Sequence, residues 1–196
     1  MNQQKIIFIS GPSASGKSTV VKSFSEEMFS YIENVKNNPY ISQLNSDKEF
    51  NAYQSQMWFL KTMHEFIASV PTGKDIIIDQ SPEAVTYTYS KYFFDKKLIS
   101  EDEFSILENE LLKVRKLIES KNYLSINILL KASSKDLYDR ANARDQENVM
   151  PLQWFIDINK YFTNYYMTDS HIIKLETSDQ SSSNLFEEVK KIIEQK

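Results

Sequence analysis

An eight-residue stretch near the start of the chain has the residue types and spacing of a phosphate-binding loop. Gly11-Pro12-Ser13-Ala14-Ser15-Gly16-Lys17-Ser18 matches the pattern G-x4-G-K-[ST]. Glycines let the backbone wrap so that successive N–H groups point at phosphate oxygens, and a helix beginning near Lys17 would add its positive dipole end. Lys17 would reach the β- and γ-phosphates, and the Ser18 hydroxyl would bind Mg²⁺. The predicted nucleotide-binding residues are Gly11, Ser13, Ala14, Ser15, Gly16, Lys17, Ser18 and Thr19.

The scarcity of glycine makes this motif more specific than its letters alone. The chain has 3 glycines in 196 residues, and two of them lie in the motif, while the third follows Pro71-Thr72 in an ordinary turn. At average residue usage the pattern arises by chance in about one chain in a hundred of this length. The stretch therefore predicts a nucleoside triphosphate site, with ATP or GTP and Mg²⁺ as cofactors.

Composition and charge exclude several other functions. The chain has a net charge of −4, so it lacks the basic field of a dedicated nucleic-acid binder. Cysteine is absent, which excludes disulfides and a cysteine nucleophile, and the two histidines, His64 and His171, are far apart in the sequence. No apolar run approaches the ~20 residues that span a membrane, and the N-terminus lacks the pattern of a signal peptide. We therefore expect a cytoplasmic protein without a nucleic-acid or membrane partner.

Short β-branched runs alternate with longer helical patterns along the whole chain. This alternation predicts βαβ units and a parallel sheet, in which ligands bind at the carboxyl ends of the strands. A serine followed three residues later by a glutamate, Ser100 and Glu103, predicts a capping box. The predicted strands cover residues 5–10, 31–35, 75–79, 125–131 and 171–176, and the predicted helices cover 18–28, 48–69, 84–97, 101–120, 134–143, 151–166 and 184–195.

The motifs that follow the loop resemble, in order and spacing, those of the deoxynucleoside kinases. They read "YIENVKNNPYISQL" at 31–44, "FNAYQSQMWFLKTM" at 50–63, "DQS" at 79–81 and "DRANARDQE" at 139–147. The resemblance covers nearly the whole chain. It implies a single-domain α/β P-loop kinase fold over residues 1–196, with a five-stranded parallel sheet flanked by helices and an arginine-bearing lid at about 135–150. It also implies phosphorylation of the 5′-hydroxyl of a nucleoside or deoxynucleoside, and a homodimer.

The resemblance assigns roles on the acceptor side of the site. Glu33 matches the family's general base, which takes the proton from the attacking 5′-hydroxyl. Gln56 matches the glutamine that pairs with the nucleobase edge, with Gln54 as a rival two positions earlier. Met63 stands where some members carry a base-reading arginine, which predicts a less selective or pyrimidine-leaning pocket. Core packing is an equally good interpretation of Met63.

The segment after the third strand keeps the family's acid and loses its arginine. Asp79 is placed for Mg²⁺ through water, or for the base of the substrate. Gln80 replaces the arginine that contacts the 5′-oxygen, and a neutral amide supplies no charge there. Glu147 matches the glutamate that contacts the sugar 3′-hydroxyl, and Asn45 aligns with the tyrosine that assists it.

The lid is also incomplete. Arg140 and Arg144, which lie four apart and so on one helix face, match the first two arginines of the family's R-x-x-x-R-x-R pattern. The third position is Gln146. The predicted catalytic residues are Glu33, Lys17, Arg140 and Arg144, with Ser18 and Asp79 predicted to hold the metal.

Two other functions remain open from the sequence. One is a nucleoside-monophosphate kinase, a related P-loop class whose anionic acceptor would need more positive charge than this pocket offers. The other is a nucleotide-binding regulatory protein with little turnover, which the two lost arginines, at Gln80 and Gln146, would favour.

Overall fold

A parallel β-sheet organises the part of the chain that the computed structural model describes, which is residues 3–41, 51–145, 149–167 and 169–196. The sheet has five strands in the order β2-β3-β1-β4-β5, and all adjacent pairs are parallel. This result confirms the predicted five-stranded α/β fold. The strands are β1 (Lys5–Ser10), β2 (Phe29–Tyr31), β3 (Ile76–Asp79), β4 (Leu124–Lys131) and β5 (Ile173–Glu176).

The first strand lies at the centre of the sheet and fixes the position of the phosphate loop. β1 pairs with β3 on one side and with β4 on the other. The chain therefore builds one half of the sheet and then crosses to the other half, so its topology switches beside β1. In open α/β sheets the ligand site lies at such a switch point, outside the carboxyl ends of the strands. The phosphate loop begins at this end of β1.

Helices occupy most of the segments between the strands. A π-helical segment, Val85–Ser90, joins two of them without a break. No helix within the described ranges is both long and apolar enough to cross a membrane. The helices are α1 (Lys17–Ser23), α2 (Ala52–Ser69), α3 (Pro82–Ala84), α4 (Lys91–Asp95), α5 (Glu101–Ser120), α6 (Ser134–Asp145), α7 (Leu152–Tyr166) and α8 (Ser182–Glu194), with a 3-10 turn at Val35–Asn37.

Two apolar layers hold the helices on the sheet. Successive side chains of a strand point to opposite faces, so β1 contributes Ile6 and Phe8 to one core cluster and Ile7 and Ile9 to the other. The first cluster packs against α2 and α5, and the second packs against α1 and α8. Because helices cover both faces of the sheet, successive apolar residues of a strand are buried on alternate faces, which explains the continuous apolar runs.

Helix boundaries agree with the predictions where the capping signals are local. The hydroxyl of Ser100 accepts from the Glu103 backbone N–H, and the Glu103 carboxylate accepts from the Ser100 backbone N–H, which confirms the capping box of α5. The first helix is shorter than predicted and ends at Ser23. It stops there because the buried Phe24 has left helical geometry and turns the chain toward β2.

The second strand ends earlier than predicted. It stops at Tyr31 rather than at residue 35, because the Asn34 side chain accepts from the Asn37 N–H at 3.2 Å and caps a 3-10 turn. A side-chain bond of this kind competes with the strand ladder. Glu33 therefore lies in the short connection between the strand and the turn, at the same edge of the sheet as the phosphate loop.

Candidate active site

The phosphate loop depends on its two glycines for different reasons. Gly11 has φ +154°, and a Cβ placed there would lie 2.5 Å from the Leu130 carbonyl oxygen. Gly16 has φ +101° and forms the N-cap of α1, where an added Cβ would meet no atom closer than 3.6 Å. Gly11 is therefore required by close packing and Gly16 by backbone conformation. Between them Ala14 adopts φ +64°, and the loop ends on the first turn of α1 with Lys17, Ser18 and Thr19.

Lys17 folds back over the loop that carries it. Its Nζ donates to the Pro12 carbonyl oxygen at 2.8 Å, and the side chain is buried. Burial lowers the pKa of Lys17, whereas the negative charges of Asp79 and Glu33 raise it. The ammonium group is thus held in the loop, between two carboxyl groups, where a triphosphate would compete for it.

The side chains of Ser18 and Asp79 place two oxygen atoms next to each other beside the phosphate loop. The Ser18 hydroxyl donates to Asp79 Oδ2 at 2.5 Å, and Asp79 is only 2% exposed. Its other oxygen, Oδ1, is buried with no hydrogen-bond partner among the described residues. Burial raises the pKa of Asp79, and the charge of Lys17 opposes this effect. A buried carboxylate oxygen without a hydrogen-bond partner fits the role of a cation ligand, and Mg²⁺ prefers such oxygen ligands.

Glu33 joins this cluster from the end of β2. Burial and the nearby charge of Asp79 raise the pKa of Glu33 to about 8, although the charge of Lys17 lowers it. The carboxyl group is therefore mostly protonated at pH 7 and becomes a carboxylate slightly above neutral pH. A pKa close to the working pH is the property that general bases require.

Gln80, predicted to contact the substrate, is engaged with the phosphate loop. Its Nε2 donates to the Gly11 carbonyl oxygen at 3.2 Å, and its Oε1 accepts from the Gly11 N–H at 3.3 Å. The residue is 1% exposed and has φ +80°. The predicted contact with the 5′-oxygen could use only the second N–H of Nε2 or the second lone pair of Oε1, from a side chain with almost no exposed surface.

Arg140, predicted to be catalytic, contacts the segment that follows β5. Its guanidinium donates to the carbonyl oxygens of Thr177 and Ser178 and to the Thr177 hydroxyl. The Thr177 hydroxyl in turn lies 3.4 Å from the Ser15 carbonyl oxygen. The same hydroxyl has a nearer acceptor in the Lys131 carbonyl oxygen at 3.0 Å, so Arg140 connects α6 mainly to the segment after β5, which approaches the phosphate loop at Ser15.

Arg144 is a lid arginine whose charge acts on Lys17 of the phosphate loop. Its charge is near enough to help lower the pKa of Lys17, after burial as the main cause. The guanidinium now binds the Asp145 carboxylate through two bonds of 2.9 and 2.6 Å, at a largely exposed position. Exposed pairs of this kind contribute little free energy, so a phosphate group could replace Asp145 as the partner.

The structure separates the two glutamines on α2. Gln56 is 5% exposed and lies on the buried face of the helix, whereas Gln54 is exposed. Met63 is completely buried in the core cluster beneath this helix, with Ile6 and Phe8 of β1. Gln56 is thus the inward-facing glutamine of the two, and its contact with a nucleobase stays a prediction. The structure places Met63 in the core rather than at the predicted pocket surface.

Three residues that the sequence singles out lie outside the described part of the chain. They are Asn45 and Glu147, predicted to act at the sugar, and Gln146, at the third lid position.

Tyr89 is a site residue that the sequence does not reveal. Its phenol group lies close to the Ser13 backbone, and burial, together with the charges of Glu33 and Asp79, raises its pKa. It lies in the π-helical segment, and π-helical turns occur often at functional sites. The two tyrosines of "VTYTYS" give no local signal that distinguishes Tyr89 from Tyr87, because the π-helical geometry decides which one faces the loop.

This geometry is that of a P-loop phosphotransferase: a phosphate loop at the central strand, a pair of oxygen atoms that could hold a metal ion, and a carboxyl group with a raised pKa. The model of the deoxynucleoside kinase family matches residues 7–195, and the chain belongs to that family. It is therefore a nucleoside kinase, and the regulatory and monophosphate-kinase interpretations are not favoured. No curated protein sequence matches the chain.

Similar solved structures agree with this fold. Deoxyadenosine kinase from M. mycoides with bound dCTP has a TM-score of 0.77 at 19% identity, covering 97% of this chain and 100% of that one. The same enzyme with dCMP and a flexible dCDP has a TM-score of 0.73 at 18% identity, covering 97% and 98% of the two chains. With bound dATP it has a TM-score of 0.73 at 18% identity, covering 96% and 99%.

Proposed function

We propose that the protein transfers the γ-phosphoryl group of ATP or GTP to the 5′-hydroxyl of a deoxynucleoside, with Glu33 as the general base. The observation that carries this proposal is the cluster of Glu33, Lys17 and Asp79 at the open end of the phosphate loop. One carboxyl group in it has a pKa of about 8, and the buried carboxylate of Asp79 has an oxygen without a partner among the described residues.

The reaction requires a proton acceptor and positive charge on opposite sides of the transferred group. Glu33 would take the proton of the 5′-hydroxyl while that oxygen attacks the γ-phosphorus and the bond to the β,γ-bridging oxygen breaks. Lys17 would leave the Pro12 carbonyl and bind the phosphate oxygens, and Arg144 would exchange Asp145 for them. Groups placed where charge develops give the largest contribution in phosphoryl transfer.

Ser18 and Asp79 would hold Mg²⁺ beside the phosphates. In P-loop enzymes a loop hydroxyl and an acid at the end of a strand hold the ion, with substrate phosphates and water completing its shell. When bound, the ion neutralises negative charge on the β- and γ-phosphate oxygens. The Oδ1 atom of Asp79, which has no hydrogen-bond partner among the described residues, supports this assignment.

Arg140 would act on the donor nucleotide through the segment it binds. Its three bonds to Thr177 and Ser178 hold that segment against the Ser15 carbonyl of the phosphate loop. We therefore place Arg140 in donor binding rather than at the transferred phosphoryl group.

On the acceptor side, Gln56 would pair with the edge of the nucleobase, and Asn45 and Glu147 would contact the sugar. Deoxyadenosine and deoxycytidine are the first acceptors to test, because the similar kinase from M. mycoides was captured with dATP, dCTP and dCMP. The whole of residues 1–196 would form one domain, with a lid at about 135–150. The protein would act as a cytoplasmic homodimer in nucleotide salvage.

The direct test is product formation from MgATP and each of the four deoxynucleosides, with MgGTP as a second donor. We expect monophosphate from at least one acceptor, and we expect Glu33→Gln to remove most of that activity. Glu26→Gln, the same change at an exposed glutamate, is the matched control and should retain it. Failure to phosphorylate any deoxynucleoside while MgATP still binds would contradict the proposed acceptor.

A further inference from the structure

Gln80 occupies a strained position between the third strand and the phosphate loop. It follows β3 directly, and its backbone N–H donates to the Ile9 carbonyl oxygen at 2.9 Å. Its φ of +80° is unfavourable for a residue with a side chain. Such conformations persist only where the surrounding structure imposes them, and they cluster at functional sites. At Gln80 the hydrogen bonds of the side chain to Gly11 and of the backbone N–H to Ile9 accompany the positive φ.

The side-chain amide of Gln80 pairs with a single peptide residue in both directions. Gly11 donates its N–H to Oε1 and accepts from Nε2 through its carbonyl oxygen, at 3.3 and 3.2 Å. The amide thereby continues the pairing between β1 and β3 one residue beyond the strands. Because the pair is buried, removing the amide would leave both polar groups of Gly11 without a partner.

Only one common side chain has the donor and the acceptor that this pairing needs at this reach. An arginine can donate to the Gly11 carbonyl but cannot accept from its N–H, and a glutamate carboxylate has the opposite defect. The family pattern has an arginine at this position. This chain therefore lacks that positive charge near the reacting atoms and has instead two hydrogen bonds between a neutral amide and Gly11 of the phosphate loop.

Gly11 is also confined on its other sides. An added Cβ would lie 2.5 Å from the Leu130 carbonyl oxygen of β4 and 2.7 Å from Ser15 Oγ. The residue is thus held by β4 on one side and by the Gln80 amide on the other. Its orientation sets the direction in which the loop leaves the sheet, and so sets where the following N–H groups point.

We propose that Gln80 is a positioning residue for the donor triphosphate: its amide orients the Gly11 peptide and so organises the phosphate loop. The inference rests on the proposed binding of the donor in this loop. It assigns Gln80 to donor affinity, whereas the family resemblance assigns this position to the acceptor oxygen. Positive charge at the transferred group then falls to Lys17 and Arg144.

The glycine content of the chain allows a direct test of the Gln80–Gly11 contact. Protein labelled with ¹⁵N-glycine should give three backbone amide signals, from Gly11, Gly16 and Gly73. In Gln80→Leu we expect the Gly11 amide to exchange with solvent at least about tenfold faster, because its buried acceptor is lost. The Gly73 amide, which donates to Gln4 Oε1 at 3.0 Å far from the site, should not change. Gln153→Leu, on the exposed face of α7, is the matched control.

The functional test separates donor from acceptor. We expect Gln80→Leu and Gln80→Arg to weaken MgATP binding, measured by titration calorimetry without acceptor, by about tenfold, as the loss of hydrogen bonds predicts. The KM for the nucleoside should stay within twofold. Gln80→Arg is the stricter case, because it restores the family's charge and still loses the acceptor for the Gly11 N–H. Gln80→Glu keeps that acceptor and serves if the other variants do not fold.

Several results would overturn the inference. Unchanged Gly11 exchange and unchanged MgATP affinity in a folded Gln80 variant would show that the contact does not organise the loop. A rise in the nucleoside KM with unchanged MgATP affinity would return Gln80 to the acceptor. If the unsubstituted protein itself fails to bind MgATP, the proposed function fails instead. The exchange measurement needs no nucleotide and tests the contact independently.

Discussion

The hydroxyl of Ser18 lies 2.5 Å from one carboxylate oxygen of Asp79, across the gap between the first turn of α1 and the end of β3. The two residues are 61 positions apart in sequence, and the parallel pairing of β1 with β3 brings them together. The remaining oxygen of Asp79 has no partner among the described residues. The sheet therefore brings the oxygen atoms of Ser18 and Asp79 to one point, and within the described residues one of the two Asp79 oxygens remains available as a ligand.

Replacing this carboxylate should weaken the response to magnesium. We expect Asp79→Asn to raise the Mg²⁺ concentration for half-maximal activity by about 10- to 100-fold, the usual effect of losing a residue that orients a metal shell. The measurement is the initial rate against free Mg²⁺ at constant nucleotide. Asp75→Asn is the control, because Asp75 accepts from the Lys5 N–H at the opposite end of β3. An unchanged Mg²⁺ dependence would remove Asp79 from the metal site.

The raised pKa of Glu33 predicts the dependence of activity on pH. With a pKa of about 8 in the free protein, kcat/KM for the nucleoside should rise about tenfold per pH unit below 8 and level off above it. Glu33→Gln should lower kcat by about 100- to 10,000-fold above pH 8 and by less at lower pH, where Glu33 of the unsubstituted protein is itself protonated. A profile that is flat between pH 6 and 9 would contradict the assignment of Glu33 as the base.

The same pKa predicts that the base reduces stability at high pH. The folded protein holds the Glu33 proton up to a pH of about 8, its pKa in the fold, whereas the unfolded chain releases it near the ordinary glutamate pKa of 4.5. Between these values the folded state binds more protons, so stability falls as the pH rises through that window. Glu33→Gln has no such proton to lose, and its Tm should exceed that of the unsubstituted protein most clearly above pH 8. Thermal unfolding at pH 5, 7 and 9 measures this difference, which should disappear toward pH 4.5.

The two lid arginines should differ in the kinetic constant that they affect. Arg144→Met should lower kcat by about 100- to 1,000-fold, as expected for the loss of one group that stabilises developing charge. Arg140→Met should instead raise the KM for MgATP and lower the Tm, because it releases the contacts with Thr177 and Ser178. Steady-state kinetics with each substrate varied separates the two. Equal effects of both variants on kcat would mean that Arg140 also reaches the transferred group.

Tyr89 should link the π-helical segment to donor binding. Removing its hydroxyl in Tyr89→Phe takes away the polar group beside the Ser13 backbone and should raise the KM for MgATP about fivefold, the equivalent of about 1 kcal/mol. Tyr87→Phe is the control, since Tyr87 lies in the same segment but stacks on Tyr165 at 5.2 Å. A similar change in both variants would indicate a general loss of packing.

The sequence predicts the features of this molecule that depend on local patterns. β1 and α5 have the predicted bounds because a continuous apolar run and a capping box are encoded in neighbouring residues. Side-chain contacts over long sequence separations are not encoded in this way. The pairing of Gln80 with Gly11 joins residues 69 apart, and that of Arg140 with Thr177 joins residues 37 apart. In both cases the residue type predicted a polar role, and only the fold determined the partner.

Burial is the other property that the sequence leaves undecided. Met63 and Gln56 lie seven positions apart on one helix face, so periodicity directs both inward. Whether an inward position reaches a pocket or the core depends on what packs beneath it. For Met63 that is the β1 side of the core, and the residue has no exposed surface.

The contact between Gly11 and Leu130 limits how this nucleotide site can change. An added Cβ at the first glycine would lie 2.5 Å from a backbone carbonyl of β4 as well as 2.7 Å from the Ser15 hydroxyl, so a larger residue at position 11 requires the strand itself to shift. Position 16 faces only the end of the Leu185 side chain, so there the obstacle is conformational. Redesign of the loop for a different donor would therefore have to begin with the spacing of β1 and β4. For this chain, the packing of β4 against β1 therefore limits which substitutions the phosphate loop can accept during evolution.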